Sequence, residues 1–374
     1  MFTIEYPFKK EILACGTKEW SGICLTKKNH GYVINELFKL QGESFSLFYQ
    51  REVDRIKREL KITPRVIAHD LYPEYETSRF AQEASAQSAT AKLYAIQHHQ
   101  AHIASCIAEN KIDGKVLAVI LDNAEYGDDS TFWGGDFFVG DLNGFKRRAY
   151  FQPVNIADAN NRPLESWQQA AVFLYRAFGE GFIDLPIEFV RKKTHSEWQA
   201  LIEEIKKPAP CGSCATAIFD AVAALIGVRD KAEFEGQGAA DLERIINRSS
   251  HVANRFYEFE LQNNKDVSLI QLGPTFHYIV EDLRNNTSKS IISAVFYNTL
   301  IEIIRQLSER IGRSEKIKDI VIAGSIFQNK VFFKTLKEAL AEDGFTVFSN
   351  RQFAHNDSSI CFGQAVLANN ADLP

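Results

Sequence analysis

The sequence lacks the long apolar runs that membrane proteins carry. No stretch approaches the roughly 18 consecutive apolar residues that a membrane-spanning helix requires. The N-terminus also lacks the basic segment followed by an apolar stretch that marks a secretory signal. We therefore expect a cytoplasmic protein without a membrane partner.

An excess of positive charge is also missing. The 374 residues include 43 Lys and Arg against 48 Asp and Glu, so the net charge is −5. A nucleic-acid partner is therefore not expected, because no basic field would attract it.

Cysteines are few, and most of them are far apart in the sequence. Of the six, only Cys211 and Cys214 are close to each other, which favours a reducing compartment over a disulfide framework. The Cys211-Gly212-Ser213-Cys214 spacing permits a zinc or redox role. Coincidence is the favoured interpretation, since no second ligand pair lies near it in sequence.

The hydrophobic pattern predicts an α/β protein of two lobes. A chain of 374 residues is too long for one compact core. Short strands and helices alternate up to a hairpin at residues 131–152, and an amphipathic helix is predicted over residues 45–60 with Ser44 as its N-cap. From residue 156 onward the pattern is mainly helical. We predict an N-terminal α/β lobe over residues 1–155 and a more helical α/β lobe over residues 156–374, facing each other across a ligand cleft.

Three histidines stand at the start of a predicted helix in Gln97-His98-His99-Gln100-Ala101-His102. Positions i and i+4 share a helix face, so His98 and His102 are expected to point the same way. Two imidazoles on adjacent turns form half of a metal site. The alternative is that one histidine is structural and the other two face solvent.

Two carboxylates are candidates to complete the site. Asp122 follows the apolar strand 116–121, at the strand edge where open α/β sheets place their ligands, and could join His98 and His102 in a site for iron or zinc. Asp357 lies just before the last predicted helix, where Asn356 or Asp357 could instead be a simple N-cap.

A strand-to-helix turn at Ala323-Gly324-Ser325-Ile326-Phe327-Gln328-Asn329 could hold a phosphate with its backbone N–H groups. With a single glycine, this signal is weak by itself.

Seven ordered segments of the chain resemble the hydrogenase maturation carbamoyltransferases (HypF), whose signature is QHHxAH. Besides residues 97–102, the segments are Asp70-Leu71-Tyr72-Pro73-Glu74-Tyr75, Gly127 with Trp133-Gly134-Gly135-Asp136, residues 218–225, Phe234-Glu235-Gly236-Gln237-Gly238-Ala239-Ala240, residues 324–329, and Asn356-Asp357 with Ile360 and Gly363-Gln364-Ala365. The resemblance covers the C-terminal, threonylcarbamoyl-transferase-like module of that family.

The resemblance implies an actin/Hsp70-like (ASKHA) fold of two lobes with a metal and an adenylate between them. In the family, this module passes a carbamoyl group from carbamoyl adenylate to a thiol of a partner protein, and relatives carbamoylate hydroxyls of small molecules. We therefore expect as partners a separate protein that forms carbamoyl adenylate and an acceptor protein or small molecule. The matching metal ligands are His98, His102, Asp122 and Asp357, and the matching nucleotide-binding residues are Asp220, Gly236, Gly324 and Asn329.

The chain departs from the family where phosphate would bind. The family's Asp-Gly-x-Gly is Asp122-Asn123-Ala124-Glu125, which loses both glycines and adds a negative charge. Further departures are Gly324-Ser325 for paired glycines, Ser358-Ser359 for Gly-Gly, Thr216-Ala217 for Gly-Arg, Trp20-Ser21 for Lys-Asn, and Glu36-Leu37-Phe38-Lys39 for His-Ile-Gly-Asp.

Three hypotheses follow from this mixture of kept and lost residues. The favoured one is a metal-dependent carbamoyltransferase that uses carbamoyl adenylate or another carbamoyl donor. ATP and ADP are related adenine nucleotides that the same site would bind. The second is a non-catalytic scaffold or regulatory protein that has lost adenylate binding. The third is a metalloenzyme without a nucleotide, in which Glu125 is a general base or an extra ligand.

Overall fold

Two β-sheets form the frame of the molecule. A computed structural model describes residues 1–18, 22–35, 44–246 and 255–371. The first sheet has the order β1-β4-β3-β2-β5-β6. The second contains nine strands, seven along the path β12-β13-β9-β8-β7-β14-β15, together with β11, which pairs with β8, and β10, which pairs with β11. The strands are β1 (Phe2–Glu5), β2 (Ile12–Ala14), β3 (Ile23–Lys27), β4 (His30–Ile34), β5 (Val66–Asp70), β6 (Lys92–Ile96), β7 (Val116–Tyr126), β8 (Phe132–Asp141), β9 (Gly144–Phe151), β10 (Val154–Asn155), β11 (Cys211–Gly212), β12 (Glu260–Asn264), β13 (Val267–Gln271), β14 (Asp319–Ala323) and β15 (Thr346–Phe348).

Helices cover both sheets, which confirms the predicted α/β class. They are α1 (Phe45–Leu60), α2 (Glu76–Ala86), α3 (His98–Asn110), α4 (Ser166–Phe178), α5 (Glu188–Arg191), α6 (His195–Ile205), α7 (Ala215–Leu225), α8 (Gln237–Ile245), α9 (Gly273–Arg284), α10 (Lys289–Glu315), α11 (Lys330–Glu342) and α12 (Ile360–Asn370). The predicted N-cap of α1 is confirmed, since Ser44 Oγ accepts a hydrogen bond from the Leu47 N–H at 3.4 Å. None of the described helices is long and apolar enough to cross a membrane.

Strand alternation in the first sheet supplies apolar side chains to two helical layers. Val66 and Ala68 of β5 pack with α3 and α12 on one face, whereas Ile67 packs with α1 and α2 on the other. Successive side chains of a strand point to opposite faces, so a strand buried on both sides carries consecutive apolar residues, as β5 does up to Ala68.

The second sheet continues this order of layers. Ala118 and Ile120 of β7 pack against α3, whereas Leu117 and Val119 pack with the helices of the C-terminal half, among them α4, α7 and α10. The molecule is therefore layered as helices, sheet, helices, sheet and helices. The pair α3 and α12 forms the middle layer, between the two sheets.

The division of the chain between the sheets differs from the predicted lobe boundary. The first sheet ends with β6 and the second begins with β7, so the strands divide between Ile96 and Val116. The boundary predicted between residues 155 and 156 falls within the second sheet, and α12 returns to pack on the first. As a boundary between independent lobes, it stays a prediction. The segments Trp20-Ser21 and Glu36-Leu37-Phe38-Lys39 lie outside the described residues.

Candidate metal and nucleotide site

The three histidines lie in the middle layer, at the start of α3. Gln97 caps this helix, because its side-chain oxygen accepts a hydrogen bond from the Gln100 N–H at 3.0 Å. His98, His99 and His102 are all buried. The rings of His98 and His102 lie one turn apart, with centroids separated by 5.0 Å. The structure therefore places these two imidazoles side by side, as the spacing predicted.

A buried acceptor holds each ring of this pair through its Nδ1 atom. Asp70 Oδ2 lies 3.0 Å from His98 Nδ1, and Ser359 Oγ lies 3.1 Å from His102 Nδ1. When Nδ1–H donates to such a partner, the lone pair of Nε2 is left for a metal and the ring is held in place. Neither role was predicted from the sequence, although the position of Asp70 at the end of a buried strand was an available signal.

Asp357 completes a group of three candidate ligands. Its Oδ1 atom lies 3.6 Å from His98 Nε2 and 3.9 Å from His102 Nε2, and the ligand atoms of the three residues lie within 4.8 Å of one another. The turn after it is capped by Asn356, whose Oδ1 accepts from the Ser358 N–H at 3.0 Å. Of the two predicted cap candidates, Asn356 is thus the cap, and the role of Asp357 as a metal ligand stays a prediction.

An irregularity in β7 brings Asp122 to the same place. The register against β8 shifts between Leu121 and Glu125, so that four steps along β7 match two along β8. Asp122 Oδ2 lies 3.1 Å from His102 Nε2, while Asp122 Oδ1 accepts hydrogen bonds from the N–H and the hydroxyl of Ser325 at 3.1 and 2.6 Å. Asp122 therefore lies beside the group of three rather than within it.

The facing atoms of His98, His102 and Asp122 fit a divalent cation. His98 Nε2, His102 Nε2 and Asp122 Oδ2 are buried, and none has a hydrogen-bond partner among the described residues. Burial of polar atoms without a partner is costly, and a cation would satisfy all three. Two imidazoles with carboxylates suit iron or zinc with coordination positions left open.

The ionisation of these groups reflects their mutual charges. Burial lowers the pKa of His98, but the carboxylates of Glu125 and Asp357 raise it well above its usual value overall. Burial acts to raise the pKa of Asp122, yet the neighbouring His102 holds it well below the usual range. His99, in contrast, has a strongly lowered pKa because of burial and the adjacent His98. The site is therefore a buried group of carboxylates that favours positive charge.

Glu125 belongs to a network that the sequence did not reveal. Its side chain is 2% exposed, and its Oε2 atom accepts a hydrogen bond from the Tyr75 hydroxyl at 2.6 Å. Its Oε1 atom lies 3.1 Å from Lys18 Nζ, and its Oε2 atom lies 3.8 Å from His98 Nδ1. Burial lowers the pKa of Lys18, but nearby carboxylates, Glu125 foremost, raise it overall, so the amine is a cation. Both oxygens of Glu125 thus have partners, which disfavours its proposed role as a general base.

A cavity of about 790 Å³ begins at the residues that follow Asp122. Asn123 and Ala124 line it from β7, and Asp220 and Gly236 line it from α7 and from the N-cap of α8. The cavity therefore brings two of the four predicted nucleotide-binding residues together beside the candidate metal ligands His98, His102, Asp122 and Asp357, which together form the metal group.

The geometry around Asp220 leaves a carboxylate ready for a ligand. Asp220 Oδ1 is buried and has no hydrogen-bond partner among the described residues, and burial raises the pKa of Asp220 to about 6. A Cβ at position 238 would overlap this oxygen, so only Gly238 lets α8 come so close. Gly236 has φ +77°, a conformation that glycine adopts without strain.

The other two predicted nucleotide-binding residues lie deeper. Gly324 has φ +113°, and a Cβ there would overlap the Leu121 carbonyl oxygen, so this turn packs directly on the end of β7. Asn329 stands at the N-cap position of α11, and its Nδ2 donates to the Tyr297 hydroxyl at 3.0 Å. Their contact with a nucleotide stays a prediction.

The two close cysteines show no ligand arrangement. The structure has Cys211 and Cys214 as free thiols, and Cys214 lines the cavity. Burial raises the pKa of Cys214 to about 11, which disfavours the reactive thiolate form.

Family models match almost the whole chain. The model of the carbamoyltransferase Kae1-like domain, second subdomain, matches residues 118–364, and that of the HypF Kae1-like domain matches residues 7–109. The chain belongs to the HypF family. The suspected family is thus confirmed, and both matches fall on the module that the resemblance indicated.

Curated members of the HypF family align along most of the chain. It is 27% identical to carbamoyltransferase HypF2 of Cupriavidus necator and 28% identical to carbamoyltransferase HypF of Rhodobacter capsulatus, in each case over 96% of this chain and 46% of the relative. A carbamoyltransferase HypF homolog of Cupriavidus necator is 25% identical over 81% of this chain and 77% of its own length. The chain thus spans about half the length of most curated relatives it matches.

Solved HypF structures share the fold. A crystal structure of full-length HypF in the phosphate- and nucleotide-bound form superimposes with a TM-score of 0.88 at 32% identity, over 98% of this chain and 56% of that one. HypF of T. kodakarensis gives a TM-score of 0.84 at 22% identity, over 98% and 49%. The predicted two-lobed ASKHA-type fold is confirmed.

Proposed function

We propose that the chain is a metal-dependent carbamoyltransferase that transfers a carbamoyl group from carbamoyl adenylate, or a related donor, to a thiol or hydroxyl acceptor. The observation that carries this proposal is that the metal group, with its two imidazoles and its carboxylates, lies beside a cavity lined by Asp220 and Gly236. A scaffold gains little from a metal site with open coordination positions, whereas a transferase uses both the metal and the neighbouring cavity.

Each part of the site has a distinct role in this proposal. His98, His102, Asp357 and Asp122 would hold a divalent metal, which supplies Lewis-acid polarisation of the donor oxygens when bound. Asp70 and Ser359 fix the orientation of the imidazoles. The Asp220 carboxylate accepts hydrogen bonds from ribose hydroxyls, and so holds the donor in one orientation.

The bond changes follow from the chemistry of a carbamoyl adenylate. The acceptor sulfur or oxygen forms a bond to the carbamoyl carbon as the bond from that carbon to the phosphate oxygen breaks. AMP leaves, and the acceptor proton passes to solvent. We propose that the donor is formed outside the module that this chain matches, and that a protein or a small molecule is the acceptor.

Calorimetry on iron- or zinc-loaded protein tests this function. ADP, ATP or a carbamoyl-adenylate analogue is expected to bind to the wild type and to lose measurable binding in His102→Ala and in Asp220→Ala. Loss in both variants would mean that metal and nucleotide occupy one cleft. Metal uptake without nucleotide binding at millimolar concentration would contradict the proposal and leave the scaffold and the nucleotide-free metalloenzyme as the remaining hypotheses.

A further inference from the structure

Lys18 connects three separate parts of the fold at the cavity. It follows β2 of the first sheet, and its Nζ atom lies 3.1 Å from Glu125 Oε1 on β7. The same Nζ atom lies 2.9 Å from Glu235 Oε1, in the segment that leads into α8. Glu235 lines the cavity together with Gly236. Lys18 is therefore held between the metal group and the side of the cavity that Glu235 and Gly236 line, where the nucleotide is expected to bind.

The two carboxylates that hold Lys18 differ in their environment. The Glu125 side chain is 2% exposed, whereas the Glu235 side chain is 62% exposed. To separate Lys18 from Glu125 would leave the buried Oε1 atom of this carboxylate without its cation, which is unfavourable. An exposed ion pair contributes little, because water and salt compete for both groups. Glu235 is therefore the exchangeable partner and Glu125 the fixed one.

A phosphate in the cavity needs a cation supplied by a residue or ion that does not itself line the cavity. Its lining residues include the carboxylates of Glu74, Asp220, Glu233 and Glu235, and the lining contains neither lysine nor arginine among the described residues. Phosphate oxygens near so many carboxylates would be repelled unless positive charge lies close by. Lys18 lies at the point where the wall meets the metal group.

We propose that Lys18 binds the phosphate of the donor, and that Glu235 forms an ion pair with the Lys18 ammonium group until the donor phosphate displaces it. The proposal rests on the proposed function, since it concerns the phosphate of that donor. It also gives a role to Glu125, which stands where the family has glycine: Glu125 fixes the lysine that replaces the lost backbone contacts. A charge-assisted contact from Lys18 would then do what the glycine-rich loop does elsewhere.

Calorimetric titration of metal-loaded protein with ADP and with adenosine tests this exchange. Lys18→Met is expected to weaken ADP binding at least tenfold and to leave adenosine binding within twofold, because adenosine has no phosphate. Glu235→Gln is expected to tighten ADP binding several-fold by removing the competing carboxylate. Glu233→Gln is the matched control, since it removes a charge from the same wall two residues away and should change ADP affinity by less than Glu235→Gln.

Misfolding cannot explain the expected gain in affinity, because a misfolded Glu235→Gln protein would not bind ADP more tightly. Equal ADP affinity in the wild type, Lys18→Met and Glu235→Gln would overturn the inference while the proposed function stands. Absence of ADP binding to the metal-loaded wild type would overturn both.

Discussion

His98 is oriented by a carboxylate that makes two different hydrogen bonds. Asp70 Oδ2 lies 3.0 Å from His98 Nδ1, and Asp70 Oδ1 accepts from the Tyr72 N–H at 3.0 Å. The side chain is fully buried, so water cannot replace either bond. An asparagine has only one acceptor oxygen and turns an amide donor toward the other group. One of the two donors would lose its partner.

Asp70→Asn is therefore expected to weaken zinc or iron binding by about 10- to 100-fold, the usual effect of losing such a partner of a metal-binding histidine. Titration against a chelator of known affinity measures this change. Glu74→Gln is the control, because Glu74 accepts from the exposed Tyr72 hydroxyl nearby and should leave metal affinity unchanged. Unchanged metal affinity in Asp70→Asn would mean that His98 is oriented by its packing alone.

Single residues could be predicted from the sequence only where a local pattern marked them. The His98 and His102 spacing and the position of Asp122 after an apolar strand are visible in a short window, and the structure brings all three together. Ser359 contacts His102 across 257 residues, and Lys18 contacts Glu235 across 217. No periodicity links such distant residues, so these contacts required the fold.

At the level of elements, α3 and α12 pack so closely that one glycine determines their separation. A Cβ at position 363 would overlap the Ala101 carbonyl oxygen, a backbone atom that cannot rotate away. Small residues on α3, among them Ala101 and Ala104, face α12 and the first sheet. Because α3 carries His98 and His102, its position sets the geometry of the metal group.

Gly363→Ala is expected to destabilise the protein by about 1–3 kcal/mol, the usual cost of an added methyl group in a tightly packed core. It should also weaken metal binding, since the two helices must separate. Urea unfolding and a metal titration measure the two effects. Gly181→Ala is the matched control, because a Cβ there meets no atom within 4 Å and its φ is not positive. A stable Gly363→Ala protein with full metal affinity would show that α12 can shift without moving α3.

Amphipathic helices and strongly apolar strands could be predicted from the sequence, whereas a polar strand at the edge of a sheet could not. The predicted helix at residues 45–60 is confirmed to the residue, and the predicted apolar strand at residues 116–121 forms the first part of β7. Glu260–Asn264 is an exposed edge strand with little burial on either face, so it lacks the alternation that reveals a strand. The extension of β7 to Tyr126 was also missed, because the irregular register after Leu121 interrupts the apolar pattern.

At the scale of the whole molecule, the candidate metal ligands come from separate layers. His98 and His102 lie on the middle layer, Asp357 lies on the turn before α12, and Asp122 lies on the second sheet. A cation that binds all of them connects segments more than 250 residues apart in the sequence, as the 3.9 Å from His102 Nε2 to Asp357 Oδ1 illustrates. Local sequence patterns indicated the two histidines and Asp122, whereas for Asp357 it was the family resemblance that favoured a ligand over a helix cap.

Metal is therefore expected to stabilise the molecule as a unit. A ligand at 100 times its Kd adds about 2.7 kcal/mol to the free energy of unfolding. With an unfolding entropy of about 2.1 cal/mol/K per residue, 374 residues that unfold together would gain ~3 °C in Tm. Calorimetric scans with and without zinc measure the shift, which His102→Ala should abolish and His30→Ala, a change of an exposed histidine on β4, should preserve. If two transitions appear and zinc moves only one of them, the ligands belong to a single lobe and the metal does not connect the layers.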